Sequence, residues 1–217
     1  CGCIADSSYI HNKKTTEEQK RQLIFTIHPR KTIGDFMFKN IVAIILFVSI
    51  PVFSQVNKPE SAEKILSAAM AEAKVGNKNV FVLFHASWCG WCKRLEKAIT
   101  SEELKKIFED NFVITHIDVL EREEKIAELE NPGGRDTMKK YGGEKSGLPF
   151  YVFLDIKGHK ISDSNVMPGN SNIGYPGAPE EIDAFIGIVK KSAKNLSAAN
   201  IESIKKYLTD NAPKPRS

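Results

Sequence analysis

The chain has 217 residues, 41% of them hydrophobic, the proportion of an ordinary globular protein able to bury a core. Its formal net charge of +4 sits mostly at one end: residues 1–54 carry seven Lys/Arg against four Asp/Glu, and the rest is close to neutral. No basic face of the kind a phosphate backbone needs can be built from that balance, so nucleic acid is not an expected partner.

Residues 1–36 are polar, lack sustained periodicity and contain no Met, which first occurs at Met37. From Ile41 to Phe53 runs an apolar stretch of thirteen residues, preceded by Lys39. That length suits the apolar segment of a signal peptide and falls short of the roughly 20 residues a spanning helix needs. Residues 37–54 are therefore read as a signal peptide, with Val52 and Ser54 before the cut and Gln55 first in the exported chain. An uncleaved anchor is the alternative and also places the domain outside the cytoplasm. Translation starting at Met37 makes residues 1–36 a start-site artefact or disordered leader, while a lipid-modified Cys1 would leave the internal apolar segment unexplained. Cys1 and Cys3 are set aside on either account.

The remaining chain, 55–217, then holds two cysteines, Cys89 and Cys92, in "FVLFHASWCGWCKRL". Exported proteins use structural disulfides to staple long loops, and a two-residue gap closes almost no loop. Chemistry explains such a pair better than stapling does.

The elements follow in order. Residues 59–75 place Ala62, Ile65, Leu66, Ala69 and Ala73 on one helical face, with Pro59 in the first turn and Gly76 at the end. Residues 79–86 read as a buried strand, followed by the cysteines and a helix through Leu95, Ala98 and Ile99. Thr100 and Glu103 form a capping-box pattern for another short helix. A strand is expected at 112–119, an exposed helix at 120–130, and a stop at "NPGG", 131–134. One or two helical turns at 135–141 lead to a glycine-rich loop and a third strand. "IKGHK" turns into a fourth strand near 160–166. A loop at 168–179 and helices near 180–193 and 197–210 close the domain, and the terminal "APKPRS" is expected to be disordered.

Cys89, where a strand gives way to a helix, meets unpaired N–H groups and a helix dipole that favour a thiolate. Cys92, one turn on, can attack a mixed disulfide formed at Cys89 and release the partner. Gly90 is expected to ease a tight turn and, between the two tryptophans, to contact the substrate. Trp88 and Trp91 offer flat apolar surface suited to an extended polypeptide, with Trp88 shielding the site and covering of the sheet edge the simpler reading for Trp91.

The strand-WCxxC-helix arrangement, "WCGWCK", resembles the active site of the thioredoxin superfamily, and "GLPFYVFLD" is similar to the family's cis-proline loop. The resemblance spans residues 59–193. It implies a thioredoxin-like α/β fold, a mixed four-stranded sheet flanked by helices with strand order 112–119, 80–86, 149–155, 160–166. It makes Cys89 the nucleophile, Cys92 the resolving thiol, and Pro149 with Leu148 a substrate contact. Segments 120–130 and 168–179 look like insertions. Two departures stand out: Leu83 occupies the position of the family's buried Asp, and Ile114 that of its partnering Lys. No proton acceptor for Cys92 is named by the sequence.

The expected function is thiol–disulfide exchange with protein substrates, by an exported, periplasmic protein reducing rather than oxidising them. No cofactor is required, and a membrane dithiol is the implied electron donor. A monomer is compatible with the composition. The alternative is a binding module, for protein or a soft metal, without turnover. A closed zinc site needs four ligands, whereas the single histidines His85, His116 and His159 are scattered. His85 reads as a hydrogen-bonded structural residue or as a tuner of the thiolate, and His116 as strand patterning. The segment 121–130 reads as a solvated face, and "NIGYPG", 172–177, as a structural loop or a groove border. Phe150 is expected to restrict substrates by its bulk.

Overall fold

The computed structural model describes residues 58–214. The leader and signal-peptide expectations for 1–54 lie outside them. Among the described residues no helix is long and apolar enough to cross a membrane.

Helix α1, Ala62–Val75, begins where the Ser61 hydroxyl accepts the Lys64 N–H, leaving Pro59 ahead of the cap instead of in the first turn. The chain leaves the helix through Asn77 at φ 49°, while Gly76 keeps an ordinary φ of −79°. Strand β1, Asn79–His85, is buried except at its last residue, and runs into α2, Gly90–Ile99. Helix α3, Lys105–Asn111, and strand β2, Phe112–Asp118, follow. The Thr100/Glu103 capping box does not form. Thr100 ends α2 with its hydroxyl bonded back to the Glu96 carbonyl at 2.7 Å, and α3 starts without a side-chain cap.

The helix expected at 120–130 is largely absent. Leu120 has a φ of 55°, which breaks helical continuity, and only a 3-10 turn at Glu123–Lys125 and a single turn α4, Ile126–Leu129, remain. Helix α5, Gly134–Lys140, packs so near β2 that a Cβ on Gly134 would lie 2.8 Å from the Val119 side chain. Strands β3, Phe150–Leu154, and β4, Lys160–Asp163, form the hairpin. The fourth strand stops three residues short of 166: Ser164 still donates its N–H to the Tyr151 carbonyl of β3, but its own carbonyl accepts from the Ile173 N–H of the following loop. Helices α6, Pro179–Ser192, and α7, Ala198–Asp210, complete the domain.

The sheet has the order β2-β1-β3-β4, with β1–β2 parallel and the other pairs antiparallel, as the resemblance implies. Side chains alternate across it, so β1, β2 and β3 each feed two cores. Val80, Val82 and Phe84 join Val152 and Leu154 beneath α1. On the opposite face Phe81 stacks on Phe153 at 4.4 Å, and Leu83, Leu95 and Ile99 fill the space below α2. Helices α6 and α7 extend that second core. Helix α2 is thus seated on a dense aromatic platform at the C-terminal end of a central strand.

Candidate active site

Cys89 is the N-cap of α2, and Cys92 lies in its first turn. The two are joined by a disulfide. The Cys92 N–H points at the Cys89 sulfur, 3.1 Å away. That backbone donor and the start of a ten-residue helix supply the positive field that stabilises a thiolate at Cys89 once the bond is reduced. Both cysteines are nearly closed off, at 3% and 2% exposure, in a cluster with Ala86 and Leu148. The Leu148–Pro149 bond is cis, and Pro149 is buried. The cysteine pair and the Leu148–Pro149 loop, separated by more than fifty residues in sequence, thus meet in one place.

Trp88 and Trp91 are about half exposed, at 48% and 47%. Trp88 is fixed by an Nε1–H bond to the Leu120 carbonyl at 2.9 Å. Trp91 does not cover a sheet edge. It stacks on Tyr175 at 6.0 Å, and Arg94 lies over both rings, 5.8 Å and 5.0 Å from their centres. Trp91, Arg94 and Tyr175, with Leu148 and the rest of the 173–178 loop, line a groove of about 820 Å³. Loop 168–179 is bound to the proline turn by Asn172, whose amide donates to the carbonyls of Gly147 and Pro149 at 2.8 and 2.9 Å. The "NIGYPG" loop is therefore both structural and a groove border.

Two site expectations change. Phe150 is fully buried against Phe84 on the α1 face, so its bulk cannot meet a substrate. Gly90 has no positive φ, and a Cβ there would meet nothing within 4 Å. Its glycine is not demanded by the turn, and Gly90→Ala should leave thermal stability and exchange rates within about twofold of wild type, as melting and turnover assays would show.

Segment 121–130 is not simply a solvated face. Glu121 is 6% exposed, and its carboxylate accepts both the N–H and the hydroxyl of Ser87, at 2.5 and 2.8 Å. Glu130 in turn accepts the Glu121 N–H at 3.3 Å and takes two bonds from Arg135. The turn that presents Trp88 and Cys89 is thereby clamped by the segment that follows β2. Five glutamates lie within 121–130, and nothing in their order distinguishes the buried one.

Beneath α2, His85 and His116 meet edge to face with ring centres 5.1 Å apart. His85 Nε2 is 3.3 Å from the Asp118 carboxylate, and His116 Nε2 is 3.7 Å from that of Glu96. Neither Nε2 has a hydrogen-bond partner. The His116 imidazole is held below its ordinary value of 6.5, by burial first and then by His85, with Glu96 opposing. The folded protein therefore binds this proton less readily than the unfolded chain does. Stability is complete above the ordinary histidine range and should be lost as pH falls through 6.5 and below. Urea midpoints at neutral and mildly acid pH should converge in His116→Gln; an unchanged acid loss would contradict this.

Residues 61–155 match the thioredoxin-like family. The fold of this part of the chain is thioredoxin-like. Solved structures resemble the chain at low identity. A disulphide isomerase from Xylella fastidiosa Temecula1 is 16% identical, covering 75% of this chain and 97% of that one, with a TM-score of 0.41. A thioredoxin from Thermus thermophilus is 16% identical over 60% and 83%, at 0.38. The C-terminal domain of Neisseria meningitidis DsbD, in the oxidised form, is 23% identical over 48% and 84%, at 0.36. No curated protein matches the chain. In this thioredoxin-like domain, Leu83 is buried and in register with His116, while Ile114 pairs with Phe81.

Proposed function

We propose that this protein is an exported thiol–disulfide oxidoreductase that reduces disulfides in protein substrates. The observation that supports it most is the Cys89–Cys92 disulfide at the N-terminus of α2, packed against Leu148 beside an open groove. In the reduced protein the Cys89 thiolate attacks a substrate disulfide, giving a mixed disulfide and one free substrate thiol. Cys92 then attacks Cys89, and the second substrate thiol leaves. Two electrons pass from the pair to the substrate, so no separate cofactor is needed. A membrane dithiol would return the electrons outside the cytoplasm.

Export rests on the apolar run Ile41–Phe53 and on a cysteine pair suited to redox work. Mass spectrometry of the secreted chain should find Gln55 at its N-terminus.

Substrate contact falls to the exposed rings of Trp88 and Trp91, to Leu148 and to the backbone beside the buried Pro149 ring, and the groove lined by Trp91 and Leu148 adds Arg94 and Tyr175. Trp91→Ala removes an exposed aromatic platform, so the KM for a protein disulfide should rise roughly five- to tenfold. The rate of reduction of the protein's own disulfide by dithiothreitol should stay near wild type, since that reagent needs no groove. The defining test is turnover of an insulin-like protein disulfide with dithiothreitol as electron donor. Activity lost in Cys89→Ser supports the reading, and no activity in the wild type contradicts it.

A further inference from the structure

The redox reading leaves one proton without a destination. Cys92 must lose its thiol proton to attack, yet it is 2% exposed. Leu83, on the strand below, offers no acceptor.

Cys92 and Glu96 stand four residues apart in α2 and so share one face of it. Glu96 reaches His116 on β2, which shows that this face lies over the sheet beside Leu83. From there the contacts continue to His85 on β1 and to Asp118 on β2. Four titratable groups from three elements therefore meet where α2, the helix that carries Cys92, faces β2. Both buried Nε2 atoms lack a hydrogen-bond partner, which is costly for a purely structural role. Among the described residues no cluster is arranged to hold a metal ion.

We propose, resting on the redox reading above, that the His85–His116 pair, flanked by Asp118 and Glu96, is the proton acceptor for Cys92 during resolution of the mixed disulfide. The Cys92 S–H bond breaks and its proton passes to the imidazole pair. The Cys92 thiolate forms the bond to Cys89 as the Cys89–substrate bond breaks. The electron pair of that bond leaves on the substrate thiolate, which takes a proton from water. When the disulfide is next reduced, the imidazole pair returns its proton to Cys92.

Electrostatics support the geometry. Burial raises the Asp118 carboxyl above its ordinary value, with Glu121, Glu130 and Glu96 adding to the effect and His85 opposing it. The His116 imidazole is shifted down and is therefore neutral, hence able to accept, at neutral pH.

The test uses the full chain, reduced, and follows single-turnover oxidation by a disulfide-bonded peptide from pH 5 to 9. Wild type should show a rate set by both the thiol and the imidazole pair. In His85→Gln/His116→Gln the rate near neutral pH should fall at least about tenfold and then climb with hydroxide. A profile superposing on wild type overturns the proposal while leaving the redox reading intact. A wild type inactive at every pH overturns the redox reading and the proposal together. A measurement free of any folding defect uses the wild type alone: NMR titration of the two rings in oxidised and reduced protein. Proton exchange with Cys92 requires their midpoints to move between the two states, and unmoved midpoints refute it.

Discussion

Cys92→Ala should convert the protein from a turning-over catalyst into a covalent trap. With the resolving thiol removed, Cys89 can still open a substrate disulfide, but the mixed disulfide has no intramolecular exit. The partner should then remain attached through Cys89, visible as a higher-mass band that dithiothreitol removes. Steady-state turnover should fall by about a thousandfold, on the scale of losing a group that takes part directly in the covalent chemistry. Cys89→Ser should lose turnover as completely but capture nothing. That asymmetry follows from position: Cys89 caps α2 and faces the helix field, whereas Cys92 sits inside the first turn. Equal trapping by both variants would refute the assigned roles, and no trapping by either would favour a non-covalent binding module.

Glu121→Ala should have the largest effect among positions that never touch a substrate. Its carboxylate holds two donors of Ser87, the residue two before Cys89. Losing it removes both bonds to a charged acceptor and should cost about 2–3 kcal/mol. Denaturant unfolding would register that as a lowered midpoint with an unchanged slope. The turn bearing Trp88 should loosen as well, so exchange with protein substrates should slow beyond what stability alone explains at temperatures where the variant is folded. Glu121→Gln, which keeps one acceptor oxygen, should recover part of both effects. A variant as stable as wild type would show that Ser87 is adequately served by water.

Much of this fold can be read along the chain because its central features are local. A Val- and Phe-rich run announces β1, and helical spacing through Leu95, Ala98 and Ile99 announces α2. The adjacency of Leu148 to the cysteines is a long-range fact, reachable from sequence only through the resemblance of "GLPFYVFLD" to a known loop. What escaped sequence reading has a common physical cause. Glu121 is buried because its donors come from a residue 34 positions earlier, and composition alone makes it look like its solvated neighbours. Trp91 finds its partner in Tyr175, on a loop far downstream. Thr100 could bond forward as a cap or backward to Glu96, and only the backbone path decides between them. His116 alternates correctly for a strand, and the parallel register of β1 and β2 then sets it beside Leu83, where it meets His85. Phe150 follows a proline that borders the site, but alternation along β3 turns its ring to the other face.

The most direct test of the account is the reduction potential of the Cys89–Cys92 pair, obtained by equilibrating the protein against defined thiol–disulfide buffers. A protein reductase fed by an outside dithiol should give a reversible couple at roughly −250 mV or lower. A value near roughly −120 mV would contradict the direction of electron flow and mark an oxidant, and a pair that never equilibrates with the buffer would contradict disulfide exchange itself.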